Sequence, residues 1–243
     1  AQSASLASSV VKLDVVSDCP DLLTPWQTEG VEMSVGSGVI IEGNRILPNA
    51  PVVECAVAIE VKRADGSARF PAEVVFISHD ADLALVEVAD PRFFEGARPI
   101  PLGAMPRLQQ EVVVYGFPVG GNTLSITSGI VSRVEVDTYT HSYRDFLSVQ
   151  IDAAINAGNS GGPVLAGGAL AGIAMQGMAG ADNVGYMIPS PVIAHFLKDV
   201  RDGQYDGYPR LGIAFQDMES EAQRRGARMS ESQSGALVLR VDY

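Results

Sequence analysis

Short apolar runs separated by turn-forming residues dominate this sequence. Runs rich in Val, Ile and Ala occur at 9–16, 37–41, 52–61, 72–77, 84–88, 111–115, 129–134, 147–151 and 172–175. Gly, Pro, Asn and Asp lie between them, and such spacing is typical of a β-barrel or β-sandwich. Helical periodicity is convincing only at 191–200, where apolar residues recur at spacings near three and four. The pattern predicts an all-β fold with one helix near its end.

Charge and hydrophobicity argue against a nucleic-acid-binding protein and against a membrane-spanning helix. Net charge is −12, whereas a nucleic-acid-binding face needs a basic surface. No uninterrupted apolar run reaches about 18 residues, so we expect no membrane-spanning helix.

Cys19 and Cys55 are too few for a disulfide framework and lack metal-ligand spacing. We expect both to be buried free thiols, which would suit a reducing compartment.

Domain organisation follows from a break in composition at 202–209, where DGQYDGYP is typical of a connector. We expect a first domain over 1–201. Beyond the connector, 211–215 and 236–241 are predicted strands on either side of a polar segment. Because 210–243 is too short to fold alone, we expect it to be an incomplete part of a further domain.

A Gly-rich motif, GNSGG at 158–162, has the features that a nucleophilic serine needs. Glycines allow unusual backbone angles and let a substrate backbone approach closely. The N–H groups around Gly158, Asn159 and Ser160 can point into one concavity and hold a developing oxyanion. Taken alone, these five residues are at least as typical of an ordinary tight turn as of a nucleophile motif.

A wider set of segments resembles the HtrA/Deg serine proteases. QIDAAINAGNSGGPVLAGGALAGIA at 150–174 is similar to their nucleophile segment, GSGVII at 36–41 to a first-barrel strand, and DADLALVEV at 80–88 to the aspartate segment. The stretches at 113–135 and 183–197 are similar to the strands before the nucleophile and to the final strand and helix. PWQ at 25–27 and LGIAFQDME at 211–219 resemble the plant and protist Deg branch.

This resemblance implies a trypsin-like double β-barrel with a C-terminal helix, followed by the beginning of a PDZ-like domain at 210–243. It places an active cleft between the barrels, bordered by 177–183, and it implies assembly as a homotrimer. Ser160 matches the nucleophile and Asp82 the carboxylate that orients the base. Gly158, Asn159 and Ser160 match the oxyanion hole.

The expected histidine base is missing. The family has a TNAHVV-like segment at this point, whereas this chain has LPNAPVV at 47–53, with Pro51 in the histidine position. Proline has no ionisable group and cannot accept the proton of Ser160. The triad positions Pro51, Asp82 and Ser160 are therefore expected to be vestigial, and Asp82 and Ser160 to be retained for structural reasons.

Three histidines are present, at 79, 141 and 195. His141 is an alternative base in a loop of the second barrel, His79 is a weaker one, and His195 is expected to be a half-buried packing residue on the C-terminal helix.

The favoured function is a catalytically inactive, protein-binding or structural subunit of a larger assembly. The alternatives are an active serine endopeptidase with a non-standard base and a chaperone-like holdase with an open groove near 177–183. No cofactor or metal motif is found in the sequence. Partners are expected to be proteins, and the family suggests an organelle, mitochondrion or plastid.

Overall fold

A computed structural model of the chain describes residues 6–24, 26–139, 144–177, 184–209 and 211–241. The chain divides into two compact units, Ala1–Gly207 and Tyr208–Tyr243. Among the described residues, no helix is both long and apolar enough to cross a membrane.

The first six strands form a closed barrel in the order β1-β2-β3-β6-β5-β4. They are β1 (Val10–Pro20), β2 (Thr28–Ile41), β3 (Arg45–Leu47), β4 (Ala56–Arg63), β5 (Phe70–Ser78) and β6 (Leu83–Glu87). A short helix, α1 (Ala50–Val53), lies between β3 and β4. The strand expected at 52–61 therefore begins only at Ala56, because the two residues at its predicted start are helical.

The next six strands close a second barrel in the order β10-β11-β12-β9-β8-β7. They are β7 (Glu111–Gly116), β8 (Ser125–Tyr139), β9 (Arg144–Ile151), β10 (Pro163–Ala166), β11 (Ala169–Gly177) and β12 (Gly185–Pro189). The helix α2 (Ser190–Asp199) follows, with a proline in its first turn. Two closed barrels and this C-terminal helix confirm the predicted fold class.

Each barrel encloses its own apolar core. Fully buried side chains of the first include Leu13, Ile40, Ile46, Val61 and Val86. Those of the second include Val114, Val131, Val149, Ile151 and Met187. Closure pairs both edges of each sheet, which removes the open strand edges that an all-β protein must otherwise protect.

The connector after α2 is held on the first unit. Asp199 Oδ2 accepts hydrogen bonds from the backbone N–H groups of Asp206 and Gly207, both at 3.0 Å. The hydroxyl of Tyr205 lies 2.6 Å from Oγ of the buried Ser78. A ring contact between Tyr205 and Phe196, with centroids 6.1 Å apart, adds apolar packing.

The second unit contains one antiparallel pair, β13 (Ile213–Asp217) and β14 (Ala236–Val241), with α3 (Glu221–Gly226) between them. Strands were expected at 211–215 and 236–241, so the first begins two residues late. A two-stranded sheet is at best marginally stable by itself in water.

The prediction of two free thiols is wrong. Cys19 and Cys55 form a disulfide with their Cα atoms 5.1 Å apart. Pairing of β1 with β4 brings them together, since Ser17 opposes Ala56 and the Asp18 N–H donates to the Cys55 carbonyl at 3.1 Å. Both cysteines are half-buried. Thirty-six positions separate them, so their proximity follows from barrel closure, which cysteine spacing alone does not reveal.

Candidate active site

The GNSGG motif forms a tight turn between β9 and β10, and its glycines are required by close backbone contacts. Gly158 and Gly161 have φ angles of +93° and +84°, in the left-handed region that side chains disfavour. A Cβ at Gly158 would lie 2.4 Å from the Phe117 carbonyl oxygen, and one at Gly161 would lie 2.0 Å from that of Ser37. Other residues would clash with the backbone on both sides of the turn.

Ser37, on β2 of the first barrel, holds this turn of the second barrel. Its Oγ donates to the Gly158 carbonyl at 2.7 Å and accepts from the Phe117 N–H at 2.8 Å. Its own N–H donates to the Ser160 carbonyl at 2.9 Å. Ser37 is fully buried, so these bonds replace its contacts with water. Sequence reasoning missed this residue, although a serine within the apolar strand at 36–41 was a signal.

The backbone around Ser160 leaves two donors available. Asn159 N–H donates to the Asn156 carbonyl and Gly161 N–H to the Ala174 carbonyl, both at 2.9 Å. Within the described part of the chain, the N–H groups of Gly158 and Ser160 have no acceptor. These two donors are the ones that an oxyanion site would use. The Ser160 side chain is half-buried, and none of the described residues forms a hydrogen bond with its Oγ.

Asp82 is bonded to Asn49. Both residues are almost completely buried, at 2% and 1% exposed. Asn49 Nδ2 lies 3.0 Å from the Asp82 carboxylate oxygen Oδ2 and 3.0 Å from the Asp82 carbonyl oxygen. The Ala84 N–H donates to the Pro48 carbonyl at 3.0 Å. The turn that carries Asp82 is thus bonded directly to the segment that precedes α1.

Pro51 lies in the first turn of α1, and its side chain is exposed. The first N–H groups of a helix have no acceptor within the helix, so proline costs no hydrogen bond there. Val52, the next residue, packs so closely on β2 that a Cβ at Gly36 would lie 2.4 Å from its Cγ1. Pro51 therefore lies on a helix that packs closely against the first barrel.

The histidines do not complete a catalytic pair among the described residues. His79 is exposed, and its Nδ1 lies 3.9 Å from Glu54 Oε1. His195 was expected to be half-buried, but the structure places it on the exposed face of α2, with Nε2 3.3 Å from the Gly207 carbonyl. That expectation is wrong because α2 packs through Val192, Ile193 and Phe196. His141 lies outside the described residues.

The predicted border of a specificity pocket, 177–183, also lies outside the described residues except for Gly177. In the part of the chain that the structure describes, no group of three His, Cys, Asp or Glu side chains is arranged to hold a metal ion.

Comparisons with known proteins identify the family. The trypsin-like peptidase domain matches residues 36–173. Protease Do-like 4, mitochondrial, of Arabidopsis thaliana is 42% identical over 236 residues, which cover 97% of this chain and 46% of that protein. Protease Do-like 2, chloroplastic, of the same plant is 42% identical over 98% of this chain and 40% of its own length. The chain thus spans less than half the length of these relatives.

Solved structures share the fold. The HtrA-type protease AlgW with a decapeptide superposes with a TM-score of 0.75 at 22% identity, over 99% of this chain and 78% of that one. AlgW with a tripeptide gives a TM-score of 0.77 at 24% identity, over 100% and 75%. Together with the matched domain and the Do-like relatives, these likenesses confirm the resemblance seen in the sequence: the chain belongs to the trypsin-like peptidase family, among the Do-like (HtrA/Deg) proteins.

Proposed function

We propose that this chain is a catalytically inactive Do-like protein that serves as a protein-binding or structural subunit of a larger assembly. The observation that supports this most directly is Pro51, which stands where the family resemblance requires the histidine base. Its side chain is exposed and has no group that can accept a proton. The named relatives are proteases, so the proposal rests on this residue of this chain.

The chemical consequence of losing the base is large. A serine hydroxyl at neutral pH is a weak nucleophile unless an adjacent base removes its proton. Removing the equivalent base from a well-studied serine protease lowers turnover by about a million-fold, leaving only oxyanion stabilisation and substrate binding. Among the described residues, no imidazole contacts Ser160. The remaining donors of the turn could then contribute to binding but not to efficient turnover.

The retained site residues make structural contacts that explain their presence without catalysis. The Asp82 carboxylate accepts a hydrogen bond from Asn49 in a buried environment. Leaving a buried donor or acceptor unpaired costs about 1–3 kcal/mol, and more for a charged group. Gly158 carries one of the bonds from Ser37 that join the two barrels. A chain released from catalysis would still be selected to keep these contacts.

Covalent labelling by a fluorophosphonate probe tests the proposal. The parent protein should not be labelled above the level of a Ser160→Ala variant, because no base activates the hydroxyl. The Pro51→His variant restores an imidazole to an exposed helix position whose backbone is already in place, and it should be labelled. Labelling of the parent that disappears in Ser160→Ala would mean that another base activates Ser160, and the inactive assignment would be wrong.

Location and assembly are further parts of the proposal. The relatives quoted above carry the words mitochondrial and chloroplastic in their names, which supports an organellar site for this chain. We also propose that residues 210–243 begin a PDZ-like domain and that the protein assembles as a homotrimer. Sedimentation of a longer chain containing the complete domain would measure the assembly state.

A further inference from the structure

The hairpin between β1 and β2 carries a cluster of exposed apolar side chains. The hairpin surface, defined by the described residues of 17–34, exposes Leu22 (87%), Leu23 (92%), Trp26 (79%), Val31 (68%) and Met33 (83%). Single exposed apolar residues are normal on a soluble protein, whereas a contiguous group marks a site of interaction. Val31 and Met33 lie two positions apart on one strand, so they project from the same face.

The same surface is acidic and has no positive charge. Asp21, Glu29 and Glu32 lie within it, and no Lys or Arg occurs between Lys12 and Arg45. Glu32 alternates with Val31 and Met33 along β2, so it projects from the opposite face of the hairpin. The hairpin therefore combines exposed apolar side chains with a negative net charge that is distributed over both of its faces.

Local bonds hold the hairpin in one shape. The Asp21 carboxylate accepts hydrogen bonds from the N–H groups of Leu23 at 2.8 Å and Thr24 at 3.2 Å, and from the Thr24 hydroxyl. The Asp21 N–H donates to the Gln27 carbonyl at 3.0 Å. The disulfide of Cys19 anchors the base of the hairpin to Cys55, the residue that precedes β4. A surface that is already ordered loses less conformational entropy on binding.

We propose that the hairpin surface docks a basic amphipathic segment of a partner protein. Such a segment has one apolar face and flanking Lys or Arg side chains, and it complements both properties of the surface. A second copy that presents the same surface across a two-fold axis would place acidic residues against acidic residues, which disfavours that contact. Anionic lipid is disfavoured for the same reason. The proposed homotrimer pairs two different surfaces, so it does not bring the hairpin surface against itself. The proposal deepens the suggested protein-binding role and does not involve Ser160.

Trp26 provides the reporter, since it is the single tryptophan of the chain. The probe is a synthetic peptide of roughly 18 Leu and Lys residues with Leu on one helical face; a matched peptide has Glu in place of Lys. Binding should shift Trp26 emission to shorter wavelength. We expect the Lys peptide to bind at least about ten-fold more tightly than the Glu peptide, and salt near 0.5 M to weaken binding several-fold.

Matched variants separate the contribution of the hairpin surface to binding from the effect of the protein's net charge. Glu29→Lys with Glu32→Lys should weaken binding about ten-fold, because several exposed charge contacts each contribute a few-fold. Glu73→Lys with Glu87→Lys changes net charge equally on β5 and β6, and should stay within about two-fold of the parent. Leu23→Ser tests the apolar contribution and carries the test if the charge-reversed variant does not fold, as judged by its melting temperature.

Several results would overturn the proposal. They are equal binding of the two peptides, no shift of Trp26 emission, or equal losses in both charge-reversed variants. A blue shift that follows protein concentration and dimer formation in sedimentation would identify a second copy as the occupant instead. The same shift with phosphatidylcholine vesicles would identify a lipid surface. None of these outcomes changes fluorophosphonate labelling, so failure here is distinguishable from failure of the inactive assignment.

Discussion

Removing the disulfide between Cys19 and Cys55 should destabilise the first unit substantially. The bridge closes a loop with a sequence separation of 36 that contains β2, β3 and α1. In the chain-entropy description, a loop of this length restricts the unfolded chain by about 4 kcal/mol at 25 °C. Cys19→Ala with Cys55→Ala is the suitable variant, because alanine keeps a Cβ at Cys55, whose φ is +51°. Glycine there would mix loss of the bridge with relief of backbone strain.

Urea unfolding followed by far-UV circular dichroism measures the effect. With a slope near 2 kcal/mol per molar urea, a loss of about 4 kcal/mol lowers the midpoint by about 2 M. For a domain of this size, the melting temperature should fall by roughly 8–15 °C. Parent protein treated with a reductant should match the variant, which controls for packing changes at the two alanines. A midpoint within about 0.5 M of the oxidised parent would refute the reasoning, since the bridge would then not constrain the unfolded chain.

Three further predictions concern the frame of the site and the hairpin. Gly161→Ala should cost at least about 3 kcal/mol of unfolding free energy in urea, because its Cβ would meet the Ser37 carbonyl. Asn49→Ala should cost about 2–3 kcal/mol in the same assay through loss of the buried bond to Asp82, whereas a loss under 0.5 kcal/mol would contradict the assigned contact. A hydrogen bond from the Thr24 hydroxyl lowers the pKa of Asp21 below its ordinary value of 3.8, and hydrogen bonds from the N–H groups of Leu23 and Thr24 lower it further. The hairpin tip is therefore stabilised above that pH, and protection of these amides from hydrogen exchange should fall as pH drops through the lowered pKa; Asp21→Asn should remove this pH dependence.

The sequence predicted the elements that depend on local pattern. Short apolar runs located nine of the twelve barrel strands. They did not locate β3 and β10, and β12 was indicated only by the resemblance, which also supplied the closure into a double barrel. The helix at 191–200 was recognised from periodicity alone, because Val192, Ile193 and Phe196 recur on one buried face. The same pattern also included His195, which lies outside that buried face and is exposed. Periodicity thus located the helix but misassigned the burial of one of its residues.

Contacts between distant segments could not be predicted from local pattern. The disulfide depends on the register of β1 against β4, and the bonds of Ser37 depend on the approach of one barrel to the other. The pairing of Asn49 with Asp82 joins residues 33 positions apart. Each is set by tertiary packing, and none has a spacing signal in a single sequence. These contacts nevertheless decide how the candidate site is held.

The three positions that the resemblance assigns to the triad differ in how strongly the fold requires them, and this difference supports the proposed inactivity. Asp82 is buried and bonded to Asn49, so replacing it would leave a buried donor unpaired. The backbone of Ser160 is fixed by Ser37 and by glycines that no other residue can replace without a clash. Pro51 is exposed in the first helical turn, where proline removes no intrahelical bond and restricts the unfolded chain. In a chain released from catalysis, as proposed, stability opposes change at Asp82 and in the turn around Ser160 but permits proline at position 51. Loss of the base with retention of the surrounding frame is therefore the pattern expected of an inactive protein whose fold is still in use.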